Sequence, residues 1–202
     1  MTLEELNQLF QKRIYIIEYI QRTFSNQGLY YGTIKIPLHL FPNNPKRADQ
    51  YFQLGMSLGA LMRVPDIEGF VKGVDSMITE FEYYCNDGTN QSAMSKVFSR
   101  FKRNSGGDGI TENTWLLDMN PSPFPLDFNS TLISCCDMLK LTYEKLLLGQ
   151  TNNDAMIELM TRIDLKVWKI SLVPILRDID NVSGDLLSIH LATHFNSEFK
   201  PK

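Results

Sequence analysis
One stripe constrains this chain more than any other feature. Leu3, Leu6, Phe10, Ile14, Ile17, Ile20 and Phe24 follow one another at steps of three and four. That spacing places them on one face of an α-helix, where residues three and four apart are neighbours. Thr2 and Glu5 fit the T-x-x-E capping box, in which each side chain satisfies the other's backbone N–H. Gly28 is a natural stop, so a helix is expected over 3–27. A helix with one apolar face must bury that face against other elements.

The remaining pattern supplies those elements. Residues 46–64 carry Tyr51, Leu54, Leu58, Leu61 and Met62 at helical spacing. Gly55, Ser57, Gly59 and Ala60 keep part of that helix slim enough for a second backbone to come close. Pro65 breaks it, and Asp66 caps a helix bearing Ile67, Phe70, Val71, Val74, Ile78, Phe81 and Cys85. A short helix fits 92–102. Asn129 or Ser130 caps another that runs to Leu148, and Asn153 or Asp154 caps the next. Pro174 falls inside that last pattern and should kink or split the helix near Ser171. A final helical stretch covers 174–194 with a break at Ser183-Gly184, and 196–202 reads as a frayed tail.

About six amphipathic helices and no convincing sheet predict an all-α single domain over 1–202, built as a helical bundle or a short α-solenoid-like stack. The length of 202 residues suits one domain, and 43% hydrophobic with 21% charged residues is globular composition. Two extended segments interrupt the helices. Residues 29–45 and 115–128 hold three prolines each among large apolar side chains. Both read as ordered stretches that dock on aromatics, the first with no partner strand in view. Residues 103–112 read as a flexible loop, rich in glycine and small polar residues.

The charge balance narrows function. Lys+Arg number 20 and Asp+Glu 23, for a net charge of -3, which disfavours a strongly electrostatic nucleic-acid binder. The basic patch Lys96, Arg100, Lys102 and Arg103 supports at most weak nucleic-acid or anionic-lipid binding through 96–103. The longest uncharged run, Gln50–Met62, is too short to cross a bilayer, so no transmembrane segment is expected. Glu4 and Glu5 stand where a secretion signal carries positive charge, and 3 cysteines make no disulfide scaffold. A cytoplasmic or nuclear location follows.

Catalytic candidates each meet a simpler explanation. His190 and His194 share a helix face, but no glutamate or third ligand accompanies them, so no metal is assigned. Cys135-Cys136 opens a helix without a base nearby, and Cys136 lies on the apolar face beside Leu132 and Leu139. The pairs Glu80/Glu82 and Asp178/Asp180 diverge around a helix and read as solvated faces, while Glu158 and Arg162 fit a surface i,i+4 pair. Gly106-Gly107-Asp108-Gly109 matches no phosphate-cradling motif, so no cofactor is expected.

What remains is a non-enzymatic protein–protein interaction module, an adaptor or a subunit of a larger intracellular complex. The candidate partner-binding residues are Trp115, Leu117, Phe124 and Phe128 in one extended segment and Tyr30, Tyr31 and Phe41 in the other. The 9 methionines add adaptable apolar surface. The alternative is a helical enzyme or small-ligand-binding bundle with an inter-helix pocket, which convergent titratable groups would reveal.

Overall fold
The capping box closes as the sequence predicts. Thr2 Oγ1 accepts from Glu5 N–H at 3.2 Å, and the Glu5 carboxylate accepts from Thr2 N–H at 2.7 Å. Helix α1 runs over Leu3–Phe24 and buries Leu6, Phe10, Ile14, Ile17, Ile20 and Phe24. It ends before Gly28, because Asn26 takes the left-handed conformation (φ 60°) and turns the chain out. The N–H groups of Gln27 and Gly28 then return to the Arg22 carbonyl.

The computed structural model describes residues 1–30, 34–87, 116–117, 122–149 and 153–198. After α1, the segment 29–45 pairs with itself. Strands β1 (Leu29–Tyr30) and β2 (Ile34–Lys35) are antiparallel, with Leu29 opposite Lys35 and Tyr30 opposite Ile34. The strand-like alternation therefore has a partner within the same segment. A 3-10 turn at Leu38–Leu40 follows, and Phe41 then packs on Phe24 at 4.4 Å between ring centroids.

The other helices are α2 (Pro45–Leu61), α3 (Ile67–Asp87), α4 (Phe128–Leu148), α5 (Asp154–Val167) and α6 (Val173–Glu198). Asn44 caps α2, and Asp66 accepts from Gly69 N–H near the start of α3. Asp127, rather than Asn129 or Ser130, caps α4 by accepting from Ser130 N–H. Asn153 caps α5. A π turn at Trp168–Leu172 joins α5 to α6, immediately before Pro174. Proline offers no N–H to the ladder and its ring crowds the carbonyl four residues back, so the helix widens there without ending. From Asp154 to Glu198 the chain is thus one helical rod, and the described residues form five rods. The expected break at Ser183-Gly184 is absent. Ser183 is buried, and its hydroxyl donates to the Ile179 carbonyl four residues back, which keeps the helix intact. The expected frayed tail at 196–198 is likewise helical in backbone.

The arrangement is an all-α bundle around α4. Helix α1 lies antiparallel to it, with Phe10 on Tyr143, Glu18 on Lys140 and Phe24 on Phe128. On the other side α2 runs parallel to it, from Tyr51 beside Phe128 to the Met62 and Val64 carbonyls, which accept from Lys145 Nζ. Helix α3 packs on α2 and α5, tied to α5 by Asp75–Arg162 and Thr79–Lys166 contacts. In a solenoid each element touches its sequence neighbours. Here α4 gathers helices from across the chain, so the bundle is the architecture.

Candidate functional site
A groove of about 980 Å³ opens between the parallel helices α2 and α4. Small residues line its floor. A Cβ on Gly55 would lie 3.5 Å from Cys135 Cα and one on Gly59 3.6 Å from the Met138 methyl, both ordinary contacts, and the absence of larger side chains there leaves a shallow trough above. Leu116, Phe124 and Leu126 from the extended segment form one wall. Met56 and Phe124 stand at the mouth, 51% and 59% exposed. Arg63, just past the end of α2, and Asp137 on α4, which accepts from Gln21 of α1 at 2.6 Å, mark the polar rim. The hydroxyls of Thr131 and Ser134 are spent on backbone carbonyls four residues back, so that part of the lining is mainly apolar.

The wall is fixed by a single carboxylate. Glu80 Oε2, on α3, accepts from Leu116 N–H at 3.0 Å and Leu117 N–H at 2.8 Å. Both amides lack partners in a helix or sheet, so the carboxylate satisfies donors that the buried segment would otherwise leave open. Burial holds the Glu80 carboxyl above its ordinary pKa, although the two amides pull the other way.

Two further polar clusters sit inside the bundle. Asp164, fully buried on α5, takes both arms of Arg13 at 2.8 and 2.9 Å and the Tyr143 hydroxyl at 2.9 Å. The Arg13 guanidinium lies 3.8 Å from the Trp168 ring centroid. At the base of α6, Arg47 pairs with Asp178, and the Tyr51 hydroxyl donates to the Ser171 carbonyl at 2.8 Å. Of these residues Tyr51 also lines the groove. Each cluster joins helices.

The sequence-selected residues divide. Phe124 stands at the groove as an exposed side chain. Leu117, Phe128 and Phe41 do not present a surface: all three are buried in the core, Phe128 among Phe24, Tyr51 and Arg47. Their apolar area is absorbed by the domain itself, which corrects their assignment as partner contacts in this conformation. The side chain of Tyr30, and Tyr31 and Trp115 entirely, lie outside the described residues, as do Lys96, Arg100, Lys102, Arg103 and the loop 103–112.

Other expectations change as well. Glu80 is no solvated acid, and Asp178 is engaged with Arg47. Arg162 reaches across to Asp75 with two hydrogen bonds, where its own helix offers Glu158. Cys135 and Cys136 are buried, and burial pushes the Cys136 thiol up to about 12, which removes thiolate character near neutral pH. His190 is exposed, the His194 side chain lies outside the described residues, and no group of three potential metal ligands occurs among those described. No helix among the described residues is long and apolar enough to cross a membrane.

Comparison with protein-family models, with curated proteins and with solved structures finds no match to this chain.

Proposed function
We propose that this chain is a non-enzymatic helical interaction module whose α2/α4 groove receives an apolar helical segment of another polypeptide. One observation carries the reading: among the described residues the groove is open, apolar and ends in exposed Met56 and Phe124, while its titratable lining does not converge on a reactive centre. The Tyr51 hydroxyl is committed to a backbone carbonyl, the Cys135 thiol is held protonated by burial, and Arg63 and Asp137 sit at the rim. A trough between parallel helices with a methionine at its lip is suited to an amphipathic helix laid along it. The free thiols of Cys85, Cys135 and Cys136 fit a reducing compartment, so an adaptor or complex subunit in the cytoplasm or nucleus is the setting we favour.

Site-specific photo-crosslinking tests this. A photoreactive phenylalanine analogue at Phe124 should form recurrent polypeptide adducts in the cells that make the protein. The same analogue at exposed Leu148, on the far end of α4, serves as control. Adducts no more frequent at 124 than at 148 would remove the groove from consideration as a docking surface.

A further inference from the structure
Many hydroxyl groups among the described residues are shut inside helices. Those of Thr79, Thr142, Thr161 and Ser183 each donate to the carbonyl four residues back, so a modifying enzyme would have to unwind a helix to reach them. Ser122 is placed differently. It lies outside any helix or strand, shortly before α4 begins at Phe128. Its hydroxyl reaches only two residues ahead. It donates to the Phe124 carbonyl at 2.8 Å and accepts from the Phe124 N–H at 3.3 Å. These bonds are local and open without disturbing a helix. The neighbours are open too: Pro123, Phe124, Pro125 and Asp127 are exposed, and Ser122 and Leu126 are half-covered.

The sequence singles out the same residue. Of the 9 prolines in the chain, only Pro123 follows a serine or threonine, so Ser122-Pro123 is the one Ser/Thr-Pro step in 202 residues. That step has a physical meaning. A kinase cleft that closes over the backbone after the acceptor strands the next N–H without a partner, and proline has none to strand. The ring also turns the residue before it away from helical geometry. Pro123 therefore keeps Ser122 extended, and Pro125 does the same for Phe124. A hydroxyl on an exposed, extended backbone enters such a cleft with little rearrangement.

We propose that Ser122 is the phosphoacceptor of a proline-directed serine/threonine kinase, and that the phosphate unlatches Phe124 from the groove wall. The phosphoryl donor is ATP. Ser122 Oγ attacks the γ-phosphorus, the bond from that phosphorus to the β,γ-bridging oxygen breaks, ADP leaves, and the hydroxyl proton passes to the kinase's catalytic aspartate. The ester carries no O–H, so the Phe124 carbonyl loses its donor. About two negative charges arrive two residues before Phe124, whose side chain stands at the groove mouth. The site stands whether or not the groove receives a polypeptide.

The test incubates the full folded chain with ATP and a purified proline-directed kinase, and maps phosphate by mass spectrometry. One phosphate per chain should appear, on Ser122. Ser122→Ala should take none, and Ser122→Thr should restore uptake. Pro123→Ala should slow uptake by about tenfold or more, the scale of one unpaired amide in a closed site. Chain recovered with phosphatases inhibited from the cells that make it should carry phosphate at Ser122. Uptake by a synthetic 118–127 peptide but not by the folded chain would show that the fold closes the site and would overturn the proposal. Phosphate that persists in Ser122→Ala, an unchanged rate in Pro123→Ala, or an unmodified Ser122 in the cellular protein would do the same. A fluorine label on the Phe124 ring should change its resonance on phosphorylation, and an unmoved resonance overturns the unlatching.

Discussion

The arginine–aspartate clusters around Asp164 and Arg47 use the same ingredients to different ends. Around Asp164 the arrangement is complete: two donors from Arg13, one from Tyr143, and an indole face under the guanidinium. It joins α1, α4 and α5 around a fully buried carboxylate. Around Arg47 the arrangement is partial. One hydrogen bond reaches Asp178, whose side chain is 24% exposed, and the guanidinium carbon lies 5.4 Å from the Phe128 ring centroid. Among the described residues, the buried atoms Arg47 Nη2 and Ser171 Oγ find no hydrogen-bond partner. A satisfied buried network specifies one packing of its helices, whereas a partly satisfied one adds little and can subtract. The body of the bundle is thus pinned by polar chemistry, and the base of α6 is held chiefly by Ile175 and Ile179 in the core.

Four substitutions put that contrast at risk. Asp164→Ala should have the largest effect. It strands the Arg13 charge and the Tyr143 hydroxyl, at a cost of about 3–5 kcal/mol. For a chain of this size that lowers the melting temperature by roughly 10 °C or more. A loss near that of a surface pair would mean the cluster is better hydrated than its burial indicates. Asp178→Ala should cost only about 1 kcal/mol, because both partners keep access to water. Equal losses at 164 and 178 in urea titrations would erase the distinction. Tyr51→Phe removes one hydrogen bond to the Ser171 carbonyl and should cost about 0.5–1.5 kcal/mol, read from the same titrations. Ser171→Ala should be the smallest and of opposite sign. It deletes a buried hydroxyl without a protein partner, so stability should stay level or rise by up to about 1 kcal/mol. A clear loss at Ser171 would show that this hydroxyl is satisfied after all, and the two clusters would differ less than drawn.

Much of the scaffold was legible because periodicity reports directly on burial. The stripe of α1 emerged as core from Leu6 to Phe24, with Leu3 only partly covered, and Pro174 marked the π turn. Helix ends were less legible, since several neighbouring residues can serve as caps: Asp127, Asn129 and Ser130 are adjacent candidates, and backbone geometry chose the first. The site was least legible. Glu80, Asp164 and Asp178 each sit at apolar spacing: Glu80 between Met77 and Tyr84, Asp164 between Met160 and Val167, Asp178 between Ile175 and Val182. An acid within an apolar stripe is the signal that could have flagged them as buried. Their partners, Leu116 and Leu117, Arg13 and Tyr143, and Arg47, come from distant parts of the chain that no local pattern connects. The groove itself arises where two separated helices meet across Gly55 and Gly59, and small residues in one helix do not say which neighbour they admit.

The π turn has a consequence for the chain's tolerance of insertions and deletions. Such a turn holds one residue more than the α-helical turn it replaces. Removing one residue at exposed Lys169 would let the rod relax into uninterrupted α-helix with every position beyond kept in phase, but one residue added there could not be absorbed again and would swing those positions by about 100° around the axis. Ile175 and Ile179 would leave the core, Asp178 would turn from Arg47, and the last turns of α6 would leave the body on a different heading. The reading frame of the bundle is therefore set at Trp168–Leu172, where five residues carry the phase of the whole last helix.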